Sequence, residues 1–153
     1  MISLTGAFVR IAVASDHGGL KLKEQVKKWL AAAGHEVVDV GTHSEDSCDY
    51  TDFGEKAARM VAAGETERGV LVCGTGIGMS LTANKIKGIR AALCTDPYMA
   101  SMSRAHNNAN ILVLGERVVG FGLAEAIVQA WLTTPFEGGR HERRVEKIHR
   151  LES

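Results

Sequence analysis

Little in this chain could staple or anchor it. Its 153 residues include three cysteines, two prolines, two tryptophans, two tyrosines and four phenylalanines. Three thiols cannot all pair within one chain, and Cys48, Cys73 and Cys94 lack the close paired spacing of a zinc site. A disulfide framework is therefore not expected, and a reducing, cytoplasmic setting is the simpler reading. Neither sign of charge is in excess, since 18 Lys plus Arg balance 18 Asp plus Glu. That balance argues against nucleic acid as a partner, and any affinity for an anion has to be local. No apolar run approaches membrane-spanning length, so no membrane partner is expected. The stretch from Ala7 to Ala14 is short, has no basic lead and runs into Asp16-His17, so it reads as a first core strand rather than a signal peptide. Without repeats, low-complexity tracts or linkers, residues 1–153 are expected to form one domain, burying roughly 70% of the unfolded surface.

What the chain does have is alternation. Strand-like apolar runs fall at Val9 to Ala14, Val37 to Val40, Val70 to Cys73, Ile89 to Cys94 and Ile111 to Leu114. Between the first two, Leu22, Val26, Trp29, Leu30 and Ala33 keep helical spacing, and Gly34 follows where a left-handed cap is expected. Phe53, Ala57, Met60 and Val61 repeat that pattern before Gly64. Pro97 suits the first position of a helix that contains Met102 and ends near His106, and a further helix runs from about Gly122 to Leu132. The expected fold is thus a three-layer α/β/α, Rossmann-like domain around a five-stranded parallel sheet. Beyond the break at Gly138-Gly139, Arg140, Arg143, Arg144, Lys147 and Arg150 interleave with Val145, Ile148 and Leu151. This arm, about 139–152, is expected to pack on a partner subunit, with its own subunit as the alternative.

The densest chemistry lies in Val70-Leu71-Val72-Cys73-Gly74-Thr75-Gly76-Ile77-Gly78-Met79-Ser80. A buried strand breaks here into alternating glycines, whose freedom at positive φ lets backbone N–H groups converge, and the next helix is expected to open around Ser80. Free amides and the positive end of a helix dipole favour an anion without any lysine, and they also favour a thiolate at Cys73. A buried cysteine serving as a small apolar residue is the other reading of Cys73. A dinucleotide loop does not fit, because its third glycine would fall at Met79 and the loop follows the third strand instead of the first. In parallel domains ligands lie beyond the carboxyl ends of the strands. Those ends carry Asp16-His17-Gly18-Gly19, Gly41-Thr42 with Asp49-Tyr50, Cys73-Gly74-Thr75 and Thr95-Asp96, and the fourth helix finishes in Arg104-Ala105-His106-Asn107-Asn108. One rim is expected to gather most of them.

Six of these stretches, in this order, resemble ribose-5-phosphate isomerase type B. They are Ser15 to Gly19, Asp49-Tyr50, Cys73 to Ser80 with Ala83-Asn84-Lys85, Arg104 to Asn110, Gly115 to Gly120, and Glu137 to His141. The wider family includes isomerases of galactose 6-phosphate, allose 6-phosphate and a tetrose phosphate. The resemblance implies aldose–ketose isomerisation of a phosphorylated sugar through a cis-enediolate, with no metal and no organic cofactor. It implies Cys73 as the base, Thr75 as the group that moves a proton between the substrate oxygens, and His106 as the acid that opens the sugar ring, a task suited to a side chain that titrates near neutrality. The amides from Gly74 through Gly76 and Gly78 to Ser80 would hold the enediolate oxygen. Asp16 and Asn107 would hold hydroxyls, Tyr50 would line the pocket, and His17, Arg117, Arg140 and Arg144 would take the phosphate, with His141 a weaker candidate. Arginines four apart share a helical face, although a solvated basic helix looks the same in sequence. Some relatives use a glutamate where this chain has Met79, so losing Cys73 would leave no substitute base. The resemblance also implies a homodimer with shared sites, or a tetramer as the larger alternative.

Overall fold

The computed structural model describes residues 8–152, so Ala7, the residues before it and Ser153 of the expected domain lie outside the described residues. All five expected strands form: β1 (Arg10–Ser15), β2 (Glu36–Gly41), β3 (Arg68–Cys73), β4 (Ala91–Leu93) and β5 (Ile111–Gly115). The helices are α1 (Leu20–Ala32), α2 (Tyr50–Ala62), α3 (Ile77–Asn84), α4 (Pro97–Ala105), α5 (Phe121–Thr133) and α6 (Arg140–His149). The sheet is parallel throughout in the order β2-β1-β3-β5-β4. Alternate residues of β1 feed opposite cores, as the two-residue period of a strand requires. Ile11 and Val13 join Leu22, Val26, Ile127 and Trp131 on one face, and Ala12 and Ala14 join Ala57, Met79 and Ala83 on the other. This is the expected three-layer arrangement.

Two local features depart from the expectation, at β4 and α3. Strand β4 shrinks to Ala91–Leu93 because side-chain amides replace the ladder at its start. The Arg90 N–H donates to Asn110 Oδ1 at 2.8 Å, and Asn84 clamps both the N–H and the carbonyl of Ala91. Helix α3 opens at Ile77, three residues before Ser80. Gly76 turns the chain at φ 82°, and Thr75 Oγ1 accepts the Ile77 N–H at 3.2 Å, which starts the helix earlier. Helix α6 is tethered to its own chain at its far end. There Glu152 accepts the Gly88 N–H at 3.1 Å and meets His149 Nδ1 at 2.8 Å, while Arg90 meets His149 Nε2 at 2.8 Å. Ile148 and Leu151 nevertheless stay open to solvent, at 46% and 83% exposure.

Candidate active site

The loop after β3 is assembled from backbone at distances only glycine permits. A Cβ on Gly19 would stand 2.5 Å from the Val72 carbonyl oxygen, and one on Gly115 would stand 2.5 Å from that of Thr75. These two approaches bring the short 3-10 turn His17–Gly19 and the end of β5 against the loop. Cys73, 5% exposed, receives the Gly76 N–H on its Sγ at 3.2 Å. The Ser80 N–H is spent on the Gly76 carbonyl inside the helix, so Ser80 contributes no free amide to the expected row. Gly78 and Met79, second and third in α3, are the positions whose N–H groups have no intrahelical acceptor.

Around this loop the expected neighbours converge. Arg117 lies across Gly74, its guanidinium carbon 3.7 Å from where a Cβ would stand, and its own N–H is held by the Gly74 carbonyl at 3.0 Å. The Tyr50 ring covers Gly78 so closely that a Cβ there would meet it at 2.5 Å. Asp16 is 8% exposed, and its Oδ1 is buried without a hydrogen-bond partner. A Cβ on Gly18 would lie 3.4 Å from that oxygen and 3.4 Å from the Gly74 nitrogen, which sets the carboxylate beside the loop. His17 Nδ1 accepts the Cys48 N–H at 3.2 Å, leaving Nε2 to carry the ring proton. Met79 is fully buried, so the position that could have supplied a second base is part of the core.

Two supports of this rim have no local signal in the sequence. Glu116 Oε1 accepts the Leu22 N–H at 2.7 Å, fixing the start of α1 from 94 positions away in the chain. Lys23 is fully buried and ties α1 to the end of β2, its Nζ 2.7 Å from both Asp39 Oδ1 and the Thr42 carbonyl. Burial alone would raise the Asp39 pKa, but hydrogen bonds from Lys23, Lys27 and the Gly41 N–H outweigh it and hold the carboxyl below its ordinary range.

The expectation of one rim is only partly met. His106 caps the carboxyl end of α4, and a helix that returns between parallel strands ends at the opposite edge of the sheet from the strand ends that precede it. Its surroundings agree: Arg104 two residues earlier shares a cavity with Val9, His35 and Arg68, all at or just before the amino ends of strands. Within one chain, therefore, His106, Asn107, Arg140 and Arg144 lie away from Cys73. They form a second cluster, held together where the Glu137 N–H donates to the Ala105 carbonyl at 3.0 Å. The rings of His106 and His141 stack at 4.2 Å and 8°, and Glu137 Oε1 lies 4.0 Å from His106 Nε2 and 3.6 Å from His141 Nε2. Burial first, then the nearby His106 and Arg140, lowers the His141 pKa and keeps that ring neutral. His141 is thus more central to this cluster than its sequence suggests. The trio His106, Glu137 and His141 has ligand atoms within 4.8 Å of one another, but stacked rings aim their in-plane lone pairs along parallel planes, which does not suit one ion. Arg140 and Arg144 are exposed on α6, and among the described residues neither makes an ion pair.

A glycine loop with free amides, a sulfur that accepts a backbone N–H and an unpartnered carboxylate, all at the carboxyl edge of a parallel sheet, define an enzyme for a small polar substrate with anionic character. The match to known proteins is more specific. The chain belongs to the ribose/galactose isomerase family, whose model matches residues 11–148, and is an aldose–ketose isomerase. It is 48% identical to ribose-5-phosphate isomerase B of Escherichia coli (strain K12) over 143 residues, covering 94% of this chain and 96% of that protein. It is 42% identical to D-erythrulose-4-phosphate isomerase of Pectobacterium atrosepticum, covering 90% and 91% of the two chains. The solved structure of Clostridium thermocellum ribose-5-phosphate isomerase B superposes with a TM-score of 0.92 at 56% identity, covering 94% of this chain and 97% of that one.

Proposed function

We propose that this enzyme interconverts ribose 5-phosphate and ribulose 5-phosphate by proton transfer through a cis-enediolate, without a metal or organic cofactor. The observation that carries this reading is the Gly76 N–H on Cys73 Sγ at 3.2 Å, beside the free amides that open α3. Cys73 takes the proton from C2 and returns it to C1. The Gly78 and Met79 amides stabilise the enediolate oxygen, where charge develops in the transition state. Thr75 moves the proton between the two oxygens. Asp16, with its orphaned Oδ1, accepts a sugar hydroxyl. His17 and Arg117 take the phosphate on the Cys73 side.

The remaining groups come from a partner. His106 and Cys73 lie at opposite edges of one sheet, so a homodimer that joins the carboxyl rim of one chain to the α6 cluster of the other completes the site. In that dimer the partner's His106 opens the furanose ring, its Asn107 holds a hydroxyl, and its Arg140 and Arg144 grip the phosphate. The open apolar residues Ile148 and Leu151 on and after α6 supply buried area for the assembly. No helix among the described residues is long and apolar enough to cross a membrane, and the reading places the enzyme in the cytoplasm. A second substrate, a tetrose 4-phosphate, is favoured by the similarity to D-erythrulose-4-phosphate isomerase.

Chelator-treated enzyme is incubated with ribose 5-phosphate in deuterated water. Ketose formation with deuterium at the exchanging carbon is the expected result. Turnover without incorporation leaves a hydride shift or a proton fully shielded from solvent, and turnover of D-erythrulose 4-phosphate alone moves the substrate to the tetrose.

A further inference from the structure

A second cationic site lies at the amino end of the sheet, outside the isomerase rim. A cavity of about 220 Å³ there is lined by Arg68, Arg104 and His35, with Leu132, Pro135 and Phe136 among its apolar walls. Arg104 is 93% buried by its exposure of 7%, yet its Nε has no partner; its NH1 donates to the Asn108 side chain at 3.1 Å and the Ala109 carbonyl at 2.6 Å. Arg68 lies over the Trp131 ring at 5.2 Å and reaches one carbonyl, that of Trp131, at 3.5 Å. His35 Nδ1 accepts the Val9 N–H at 3.3 Å, so its Nε2 is the protonated, donating nitrogen.

Glu67 is felt by Arg68 only from beyond ion-pair distance. Among the described residues no carboxylate lies within ion-pair distance of Arg68, Arg104 or His35. Residues 1–7, which precede the cavity wall at Val9, contain no Asp or Glu that could supply one. Burial, then the charges of Arg68 and Arg90, pushes Arg104 down to about 10, and burial followed by Arg68 lowers His35. Buried guanidinium groups are ordinarily held by a carboxylate or phosphate, because an unpaired buried charge is costly.

We propose that this cavity is a separate binding site for a tetrahedral oxyanion, a phosphate monoester whose organic part rests on Leu132, Pro135 and Phe136. Three donor-bearing side chains around one space suit a tetrahedral acceptor, and the volume holds such a group with a few waters. The site is distinct from the Cys73 rim and lies beside the His106 cluster, since Arg104 and Phe136 closely precede His106 and Glu137 in the chain.

Crystals of the full chain soaked in selenate test the location, since the anomalous signal marks the ion. A peak between Arg68 and Arg104 is expected; no peak there, or peaks only at Arg117, Arg140 and Arg144, overturns the proposal. Calorimetric titration with inorganic phosphate tests the chemistry. Arg68→Gln should weaken one class of site by about tenfold or more while turnover of the sugar phosphate is unchanged. A titration identical to that of the unsubstituted protein overturns it as well. Arg140→Ala, which addresses the α6 cluster proposed to take the sugar phosphate, should leave the selenate peak in place.

Discussion

The rim around Cys73 and the cluster around His106 are built by different means. At the carboxyl edge the chemistry is held by main chain: glycines so near carbonyls that a Cβ would stand 2.5 Å from the oxygen, an N–H on sulfur, a helix start aimed at the loop. At the other edge a single main-chain bond joins Glu137 to Ala105, and the chemistry is carried by side chains: Arg140 and Arg144 exposed on α6, and His106 between the stacked His141 ring and Glu137. A developing charge is best met by dipoles that need not move, which is why we assign the proposed proton-transfer step to the edge where the core enforces geometry. The proposed ring opening and phosphate capture fall to side chains at the other edge, which a second surface would cover in the proposed dimer.

Substitution at Cys73 tests the first half most severely. Cys73→Ser should lower kcat by about 10²- to 10⁴-fold, the usual worth of a positioned base, while calorimetry still detects sugar-phosphate binding. Near-normal turnover would remove Cys73 as the base and dissolve the contrast between the regions. Mixing sharpens it: Cys73→Ser and His106→Asn proteins, each impaired alone on ribose 5-phosphate, should recover roughly a quarter of native activity after unfolding and refolding together, as random pairing in a two-fold dimer requires. No recovery would mean that both groups act within one chain.

Arg140→Ala should raise KM for the phosphorylated sugar roughly 10- to 100-fold with little change in kcat, the range for a lost charged hydrogen bond. An unchanged KM would reassign α6 to a solvated basic face. The smallest effect is on stability against pH. Burial lowers the folded pKa of both His35 and His141, so just below about pH 6.5 the unfolded chain binds more protons than the folded one. Stability should therefore fall as pH drops from about 6.5 through those lowered values, read as a declining Tm, and His141→Gln should flatten part of the slope. Asp39 adds a loss at lower pH, since its stabilisation is present above about pH 4 and disappears as pH falls through its lowered folded value.

The periodicity of Ile11 to Ala14 and of Leu22, Val26 and Leu30 foretold the strands and helices because each pattern records which side of an element meets the core. The ends of elements were less legible. β4 shortened because Asn84 and Asn110 lend it side-chain amides, and α3 opened early because Thr75 and Gly76 start it. Glu116, fixing α1 from 94 residues away, gave no local pattern at all.

Periodicity and spacing reached the parallel sheet and the glycine loop, because these follow from residues close together in the chain, while the family came from the resemblance of six ordered stretches to a known one. Which motifs share an edge did not follow from spacing. Placing His106, Glu137 and His141 together at the edge opposite Cys73 needed the return direction of α4 and the 3.0 Å bond from Glu137 to Ala105. Long-range contacts of that kind arise when a whole sheet closes and leave no periodic trace in the chain. The same closure gathered Arg68, Arg104 and His35 around one cavity, from three separate stretches of sequence.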